Sequence, residues 1–120
     1  MKKQVYDLEE RLLEYSVRII KVVGRLPNTG TLGHVAGQLL RSGTSPYPNH
    51  GEAQAAESSK DFVHKLRIAL KELRETKRWL QLIKKVPLVK QIAQIDEALA
   101  ETEELTKIFV TSIHTAERKK

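Results

Sequence analysis

The most informative stretch of this chain is Arg41-Ser42-Gly43-Thr44-Ser45-Pro46-Tyr47-Pro48-Asn49-His50-Gly51-Glu52-Ala53. Its two prolines and two glycines interrupt a pattern that is otherwise helical, because proline lacks the N–H donor and clashes with the preceding turn. Helix-forming residues resume on both sides, so the stretch does not simply link two domains. We therefore predict a helix that is interrupted at Ser42, is kinked near Pro46–Pro48, and resumes at Asn49 or Gly51.

On both sides of this stretch, apolar residues recur at intervals of three or four, which is typical of helices. Pro27 ends the first helix and Pro87 separates the last two, since the residue before a proline is biased out of the helical region. Ser58 and Ser59 are candidate N-caps for the third helix. Strand-like alternation is absent. The pattern predicts a single all-α domain over residues 1–120, an antiparallel up-down-up-down four-helix bundle. Its helices span about residues 5–26, 31–57, 60–85 and 88–117.

The composition bounds the class of protein. A chain of 120 residues is long enough for one hydrophobic core, and it has no cysteine, so disulfides and thiol chemistry are excluded. No apolar run approaches the roughly 20 residues that span a bilayer, and the N-terminus lacks a signal-peptide core. We expect a soluble cytoplasmic protein with no membrane partner.

Charge is unevenly distributed along the chain. The net charge is +6 and the isoelectric point is near 9.7, which favours affinity for polyanions. Residues 60–90 hold ten Lys or Arg and three acids, whereas residues 91–116 hold five acids and one lysine. Two interpretations stay open: these segments are complementary helix surfaces within a bundle or between subunits, or the basic segment binds nucleic acid.

One face of the third helix is the narrower nucleic-acid hypothesis. At about 100° per residue, Arg67, Lys71, Arg74 and Arg78 share a face, and their contacts with a polyanion would depend strongly on salt. Trp79 beside them has three open interpretations: half-buried packing, an interface contact, or a platform for base stacking. Aromatic residues are too scarce for a single-strand reader built on serial stacking.

Catalysis has little support in the sequence. The four histidines are scattered, with neither an HExxH motif nor paired Glu-x-x-His ligands, and the glycines lack the strand–loop–helix context of a phosphate-binding loop. His50 and Glu52 are the one candidate imidazole–carboxylate pair. We predict a protein that is not an enzyme, with no catalytic residue, metal or cofactor.

Asn49 and Glu52 are the polar residues to explain where the second helix resumes. Asn49 as N-cap with Glu52 reaching back would form a capping box, with Asn in the place of Ser or Thr. The alternative is a polar cluster at a subunit interface or a ligand surface. Both interpretations stay open.

With these segments assigned, the chain resembles the four-helix bundle proteins of the 23S rRNA intervening-sequence family over nearly its whole length. The order and spacing of four blocks carry the resemblance. They are Gln38-Leu39-Leu40-Arg41-Ser42-Gly43-Thr44-Ser45, Asn49-His50-Gly51-Glu52-Ala53, Asp61-Phe62-Val63-His64-Lys65-Leu66-Arg67-Ile68-Ala69-Leu70-Lys71-Glu72 and Glu75-Thr76-Lys77-Arg78-Trp79-Leu80.

The resemblance implies an antiparallel four-helix bundle, commonly assembled as a ring-like homopentamer. A related group serves as accessory protein in diversity-generating retroelements, where a basic pentamer surface engages nucleic acid and a reverse transcriptase. Asn49 and Glu52 match the family's Asn and Glu, whereas Pro46-Tyr47-Pro48 departs from its pattern. The leading hypothesis is a self-assembling bundle that binds RNA or DNA; the alternative is a protein–protein scaffold module with no nucleic-acid role.

Overall fold

The computed structural model describes residues 7–86 and 89–119, and helices dominate both ranges. No strand occurs among these residues. The second and third helical segments are the two halves of one kinked helix, so the architecture is a four-helix bundle. This confirms the predicted all-α class and the kinked second helix. The segments are α1 (Leu8–Gly24), α2 (Gly30–Thr44), α3 (Pro46–Gln54), α4 (Ser59–Lys84) and α5 (Ile92–Arg118).

The kink is confined to Ser45. Its backbone keeps right-handed helical angles (φ −76°, ψ −36°), so the chain bends without reversing. Pro46 and Pro48 are the first and third residues of α3. Amides in a first turn lack a partner within their own helix, so proline loses no hydrogen bond of α3 there.

The predicted boundaries of the interruption are wrong. The first half of the helix ends at Thr44, two residues after the predicted end at Ser42. The second half begins at Pro46, before the predicted start at Asn49 or Gly51. The prediction treated the prolines as helix breakers, although a first turn tolerates them.

Side chains cap two of the described helices. Asp7 accepts a hydrogen bond from the Glu10 amide at 3.1 Å, and Ser58 accepts one from the Asp61 amide at 3.0 Å. The latter confirms one of the two serines proposed as N-cap of α4. The predicted helical start at Val5 and the proline at 87 lie outside the described residues. The last helix begins four residues later than predicted, at Ile92.

Ion pairs give the directions of neighbouring helices. Residues later in α4 pair with residues earlier in α5, so these two helices run in opposite directions. The ion pairs between α1 and α5 show the same order. The α4–α5 pairs are Arg67–Glu117, Lys77–Glu103 and Lys84–Asp96, and the α1–α5 pairs are Arg11–Glu101 and Arg18–Glu97.

Helices α1 and α4 lie diagonally across the bundle. Each packs against α2, α3 and α5, but in the described part of the chain their backbones do not approach one another. The outer faces of α1 and α4 therefore point to opposite sides of the molecule.

The core is mostly apolar, and four of its polar residues meet in one layer. Tyr15 of α1 lies with its hydroxyl 2.7 Å from Thr102 Oγ1 of α5, and Thr76 of α4 lies with Oγ1 2.9 Å from Ser42 Oγ of α2. All four are at most 1% exposed. Buried polar groups favour the arrangement in which they find partners, so this layer favours one vertical alignment of the four helices.

Helices α1 and α2 approach closely at Gly43. A Cβ atom on Gly43 would lie 2.7 Å from Cγ2 of Ile19, which is itself fully buried. The glycine in this block therefore serves helix packing, and it lies within α2 instead of in a loop.

Among the described helices, none combines the length and apolar character needed to cross a membrane.

Candidate functional site

Four basic residues form a line along the outer face of α4. Arg67, Lys71, Arg74 and Arg78 are all exposed, as predicted from their spacing. With a rise of about 1.5 Å per residue, the line is about 16 Å long, and neighbouring positions are about 4.5–6 Å apart along the axis. We call these four residues the basic stripe.

The opposite side of α4 explains why the basic stripe faces outward. Leu66, Leu73 and Leu80 are at most 2% exposed and anchor α4 in the core. Because the residues of an α-helix step by about 100°, burying these leucines directs the basic stripe towards solvent. The amphipathic pattern alone predicts this orientation.

Most of the basic stripe lacks an acidic partner. Arg67 pairs with Glu117 of α5, and both side chains are substantially exposed. Lys71, Arg74 and Arg78 make no ion pair with any residue in the described ranges 7–86 and 89–119. The acidic half of the last helix therefore neutralises only part of α4, and three cations of the basic stripe stay available to an external anion.

The capping-box interpretation of Asn49 is wrong. Asn49 is the fourth residue of α3, and Ser45 occupies the N-cap position without a side-chain cap bond. The Asn49 amide group Nδ2 instead donates to the Ser45 carbonyl at 3.0 Å and to Ser45 Oγ at 2.9 Å. Asn49 thus ties the start of α3 to the residue at the kink.

Glu52 connects two helices instead of reaching back along its own. Lys65 Nζ of α4 donates to Glu52 Oε1 at 2.7 Å. This hydrogen bond raises the pKa of Lys65, with the charge of Glu52 as the next cause. Asn49 and Glu52 therefore act at different places, one at the kink and one between α3 and α4.

A cluster that sequence reasoning missed joins α2 to α4. Arg41 donates to Glu72 at 3.1 Å and also to Glu75, and Trp79 Nε1 donates to Glu75 Oε2 at 2.9 Å. Trp79 is half-buried, which confirms the packing interpretation. The spacing of Glu72, Glu75 and Trp79 at steps of three and four was the available signal, because it places them on one face.

His50 and Glu52 make no hydrogen bond to each other in the described part of the chain. His50 is 6% exposed and meets the ring of Phe109 edge to face at 6.3 Å, whereas Glu52 is exposed. Burial lowers the pKa of His50, and its Nδ1 has no hydrogen-bond partner among the described residues. Nor does the described part of the chain contain a cluster of three His, Cys, Asp or Glu side chains placed to hold a metal ion.

A second candidate surface lies on α1. Leu13, Val17 and Ile20 are 39, 42 and 52% exposed, and their spacing places them on one face. We call these three residues the apolar stripe. Beside it, a groove of about 410 Å³ lies between α1 and α5 and is bordered by cations of α1, among them Lys21 and Arg25. Large apolar side chains clustered on a surface are typical of protein–protein contacts.

Comparison with known proteins places the chain in a family. The model of the 23S rRNA-intervening sequence protein family matches residues 4–111. A solved structure of a protein of unknown function from the S23 ribosomal protein family of Bacteroides thetaiotaomicron is 34% identical, with a TM-score of 0.80. The similarity covers 89% of this chain and 98% of that one. No curated protein matches. The chain belongs to the 23S rRNA-intervening sequence protein family.

Proposed function

We propose that this protein is a non-enzymatic helical bundle that assembles with itself and binds RNA or DNA through the basic stripe. In this proposal it is a homopentamer and an accessory to a reverse transcriptase or to an rRNA-linked element. The observation that carries the nucleic-acid role is the line of exposed cations on α4, three of which have no acidic partner among the described residues. The proposed number of subunits and the proposed protein partner rest on the family resemblance.

The chemistry of the basic stripe suits phosphates better than bases. Arginine presents a rigid fork of donors to phosphate oxygens, and lysine acts as a compact point charge. The stripe lies on a rigid helix that buried leucines anchor in the core. Its backbone therefore loses little conformational freedom when it binds a polyanion. Binding of this kind releases counterions and is independent of sequence.

Self-association is supported by the apolar stripe. Covering Leu13, Val17 and Ile20 with another subunit would remove apolar surface from water, at about 25 cal/mol per Å² buried. Because α1 and α4 lie on opposite sides of the bundle, a partner that covers the apolar stripe does not thereby cover the basic stripe of the same subunit. One chain can thus assemble and bind nucleic acid at the same time.

Charge reversal tests the nucleic-acid role. We expect Lys71→Glu with Arg74→Glu to weaken binding to a labelled RNA more than tenfold and to reduce the slope of log K against log salt by about two, since each phosphate contact contributes about one. The matched control is Lys21→Glu with Arg25→Glu on α1, which changes the net charge equally. Equal weakening by both variants would contradict a specific role for the basic stripe.

Light scattering coupled to size-exclusion chromatography tests the assembly. We expect a mass of five times 13.7 kDa for the wild type and a smaller species for Val17→Glu. A wild-type monomer would contradict the proposed assembly. Stable assembly without retention of RNA or DNA at low salt would instead support the scaffold alternative, which the exposed apolar stripe also favours.

A further inference from the structure

The basic surface of α4 continues onto α5 at a depression of about 320 Å³. Its lining consists of Arg74 and Lys77 from α4 and Glu103, Thr106 and Lys107 from α5. Three cations face one carboxylate, so the depression carries an excess of positive charge. Lys107 is the single lysine of an otherwise acidic segment and lies outside the basic stripe.

The existing ion pairs around this depression are loose enough to exchange for a phosphate. Lys77 lies 3.1 Å from Glu103, and Lys107 lies 3.6 Å from Glu104, with the four side chains 40 to 74% exposed. Exposed pairs of this kind are weak, because solvent and salt screen them. Arg74 has no ion pair within residues 7–86 and 89–119. A phosphate oxygen can therefore contact these cations without breaking a strong interaction.

A second depression of about 250 Å³ lies further towards the start of α4. Lys60, His64 and Arg67 line it together with Val63 and Glu117. Arg67 and Arg74 are seven residues apart, which is about 10 Å along the helix axis. Cationic positions are thus held at fixed separations on the rigid α4–α5 pair, and Lys71 lies between them.

Apart from the imidazole of His64, the described residues offer this surface no exposed aromatic ring for base stacking. Tyr15 and Phe109 are buried, Tyr47 and Phe62 are half-buried, and Trp79 is half-buried with Nε1 engaged by Glu75. Proteins that hold single strands rely on exposed aromatic rings for stacking. A duplex presents its phosphates at fixed positions without any need for stacking, so a rigid array of cations suits it better.

Building on the proposed function, we infer that the ligand is a double-stranded nucleic acid and that the depression between α4 and α5 seats one of its backbone phosphates. Lys107 of α5 is then a contact additional to the basic stripe. The duplex crosses from α4 onto α5 and does not follow α4 alone.

Fluorescence anisotropy with the full chain tests this inference. The probes are a labelled duplex RNA of about 20 base pairs, the duplex DNA of the same sequence, and each single strand, titrated between about 50 and 200 mM salt. We expect at least tenfold tighter binding of the duplexes than of the single strands. We also expect Lys107→Ala to weaken duplex binding about three- to tenfold and to lower the salt slope by about one.

Lys90→Ala, at an exposed lysine between α4 and α5 that lines neither depression, is the control and should leave duplex binding unchanged. Single strands bound as tightly as duplexes, or an unchanged affinity of Lys107→Ala, would overturn the inference while leaving the proposed function intact. No binding of any probe by the wild type would overturn both. Circular dichroism on each variant confirms that it is folded.

Discussion

The hydroxyl of Tyr15 lies 2.7 Å from Oγ1 of Thr102 at the centre of the bundle. Thr102 in turn donates its own proton to the Ala98 carbonyl at 2.6 Å, so Tyr15 is the donor between the two side chains. Both residues are at most 1% exposed, and burial raises the pKa of the Tyr15 phenol well above its ordinary value. This contact links the first and last helices of the chain.

Removing the hydroxyl tests this contact. We expect Tyr15→Phe to lower the free energy of unfolding by about 1 kcal/mol, because a buried hydrogen bond is lost while the ring still fills its space. Urea denaturation measures the change. Tyr47→Phe, at a half-buried tyrosine, should leave stability nearly unchanged. Equal effects of both substitutions would show that the buried contact is not special.

Glycine substitutions in α2 should have opposite effects. Gly43→Ala places a Cβ atom 2.7 Å from Ile19 Cγ2 and should destabilise the protein by about 1–3 kcal/mol. Gly37→Ala meets no atom within 4 Å and should stabilise it by about 0.5–1 kcal/mol, since alanine favours the helix. Thermal unfolding of both variants measures the difference. Stabilisation by Gly43→Ala would contradict the close approach of α1 and α2.

Asn49 and Glu52 should contribute unequally to stability. Asn49→Ala loses two hydrogen bonds to Ser45 at the kink and should cost about 1 kcal/mol. Glu52→Gln weakens an exposed pair with Lys65 and should cost less than Asn49→Ala, because solvent screens the pair. Chemical denaturation compares the variants. A larger cost for Glu52→Gln would show that the α3–α4 contact matters more than the kink.

Stability should fall as the pH drops from about 7 to about 5. Burial lowers the pKa of His50 in the folded chain, partly opposed by the charge of Glu9, whereas an unfolded histidine titrates near 6.5. The unfolded state therefore binds more protons in this range, and its stability relative to the native state increases. Unfolding measured across this range should show a weaker pH dependence for His50→Gln than for the wild type.

The exposed His114 provides the control for that experiment. His114→Gln should keep the wild-type pH dependence, because it leaves the buried His50 in place. If His114→Gln removes the dependence and His50→Gln does not, the buried imidazole is not its source.

Much of the fold follows from local patterns in the sequence. The periodic leucines of residues 60–85 predict α4 to within a residue, and they also direct Arg67, Lys71, Arg74 and Arg78 outward, because helix geometry couples the two faces. The kink could be located but not delimited. Whether prolines break a helix or open its next turn depends on the angles at Ser45, which no periodicity reveals.

The candidate site was only partly accessible to sequence reasoning. The basic stripe was predicted residue by residue, whereas the pairing of Arg67 with Glu117 and the depression shared with Lys107 require α4 and α5 to be placed side by side. Asn49 and Glu52 were recognised as special, but their partners were misassigned. Lys65 is thirteen residues from Glu52, so the capping-box interpretation, which considers only contacts within one helical turn, could not predict this pair.

The helices, their inward faces and the basic character of α4 follow from the sequence, because they depend on spacing within a single segment. Which residues meet across the bundle depends instead on the tertiary structure. Ser42 with Thr76 and Tyr15 with Thr102 form a buried polar layer because four helices converge there. The diagonal placement of α1 and α4 likewise separates the apolar stripe from the basic stripe. Those relationships arise from packing between segments that are distant in the sequence, and a sequence pattern within one segment does not contain them.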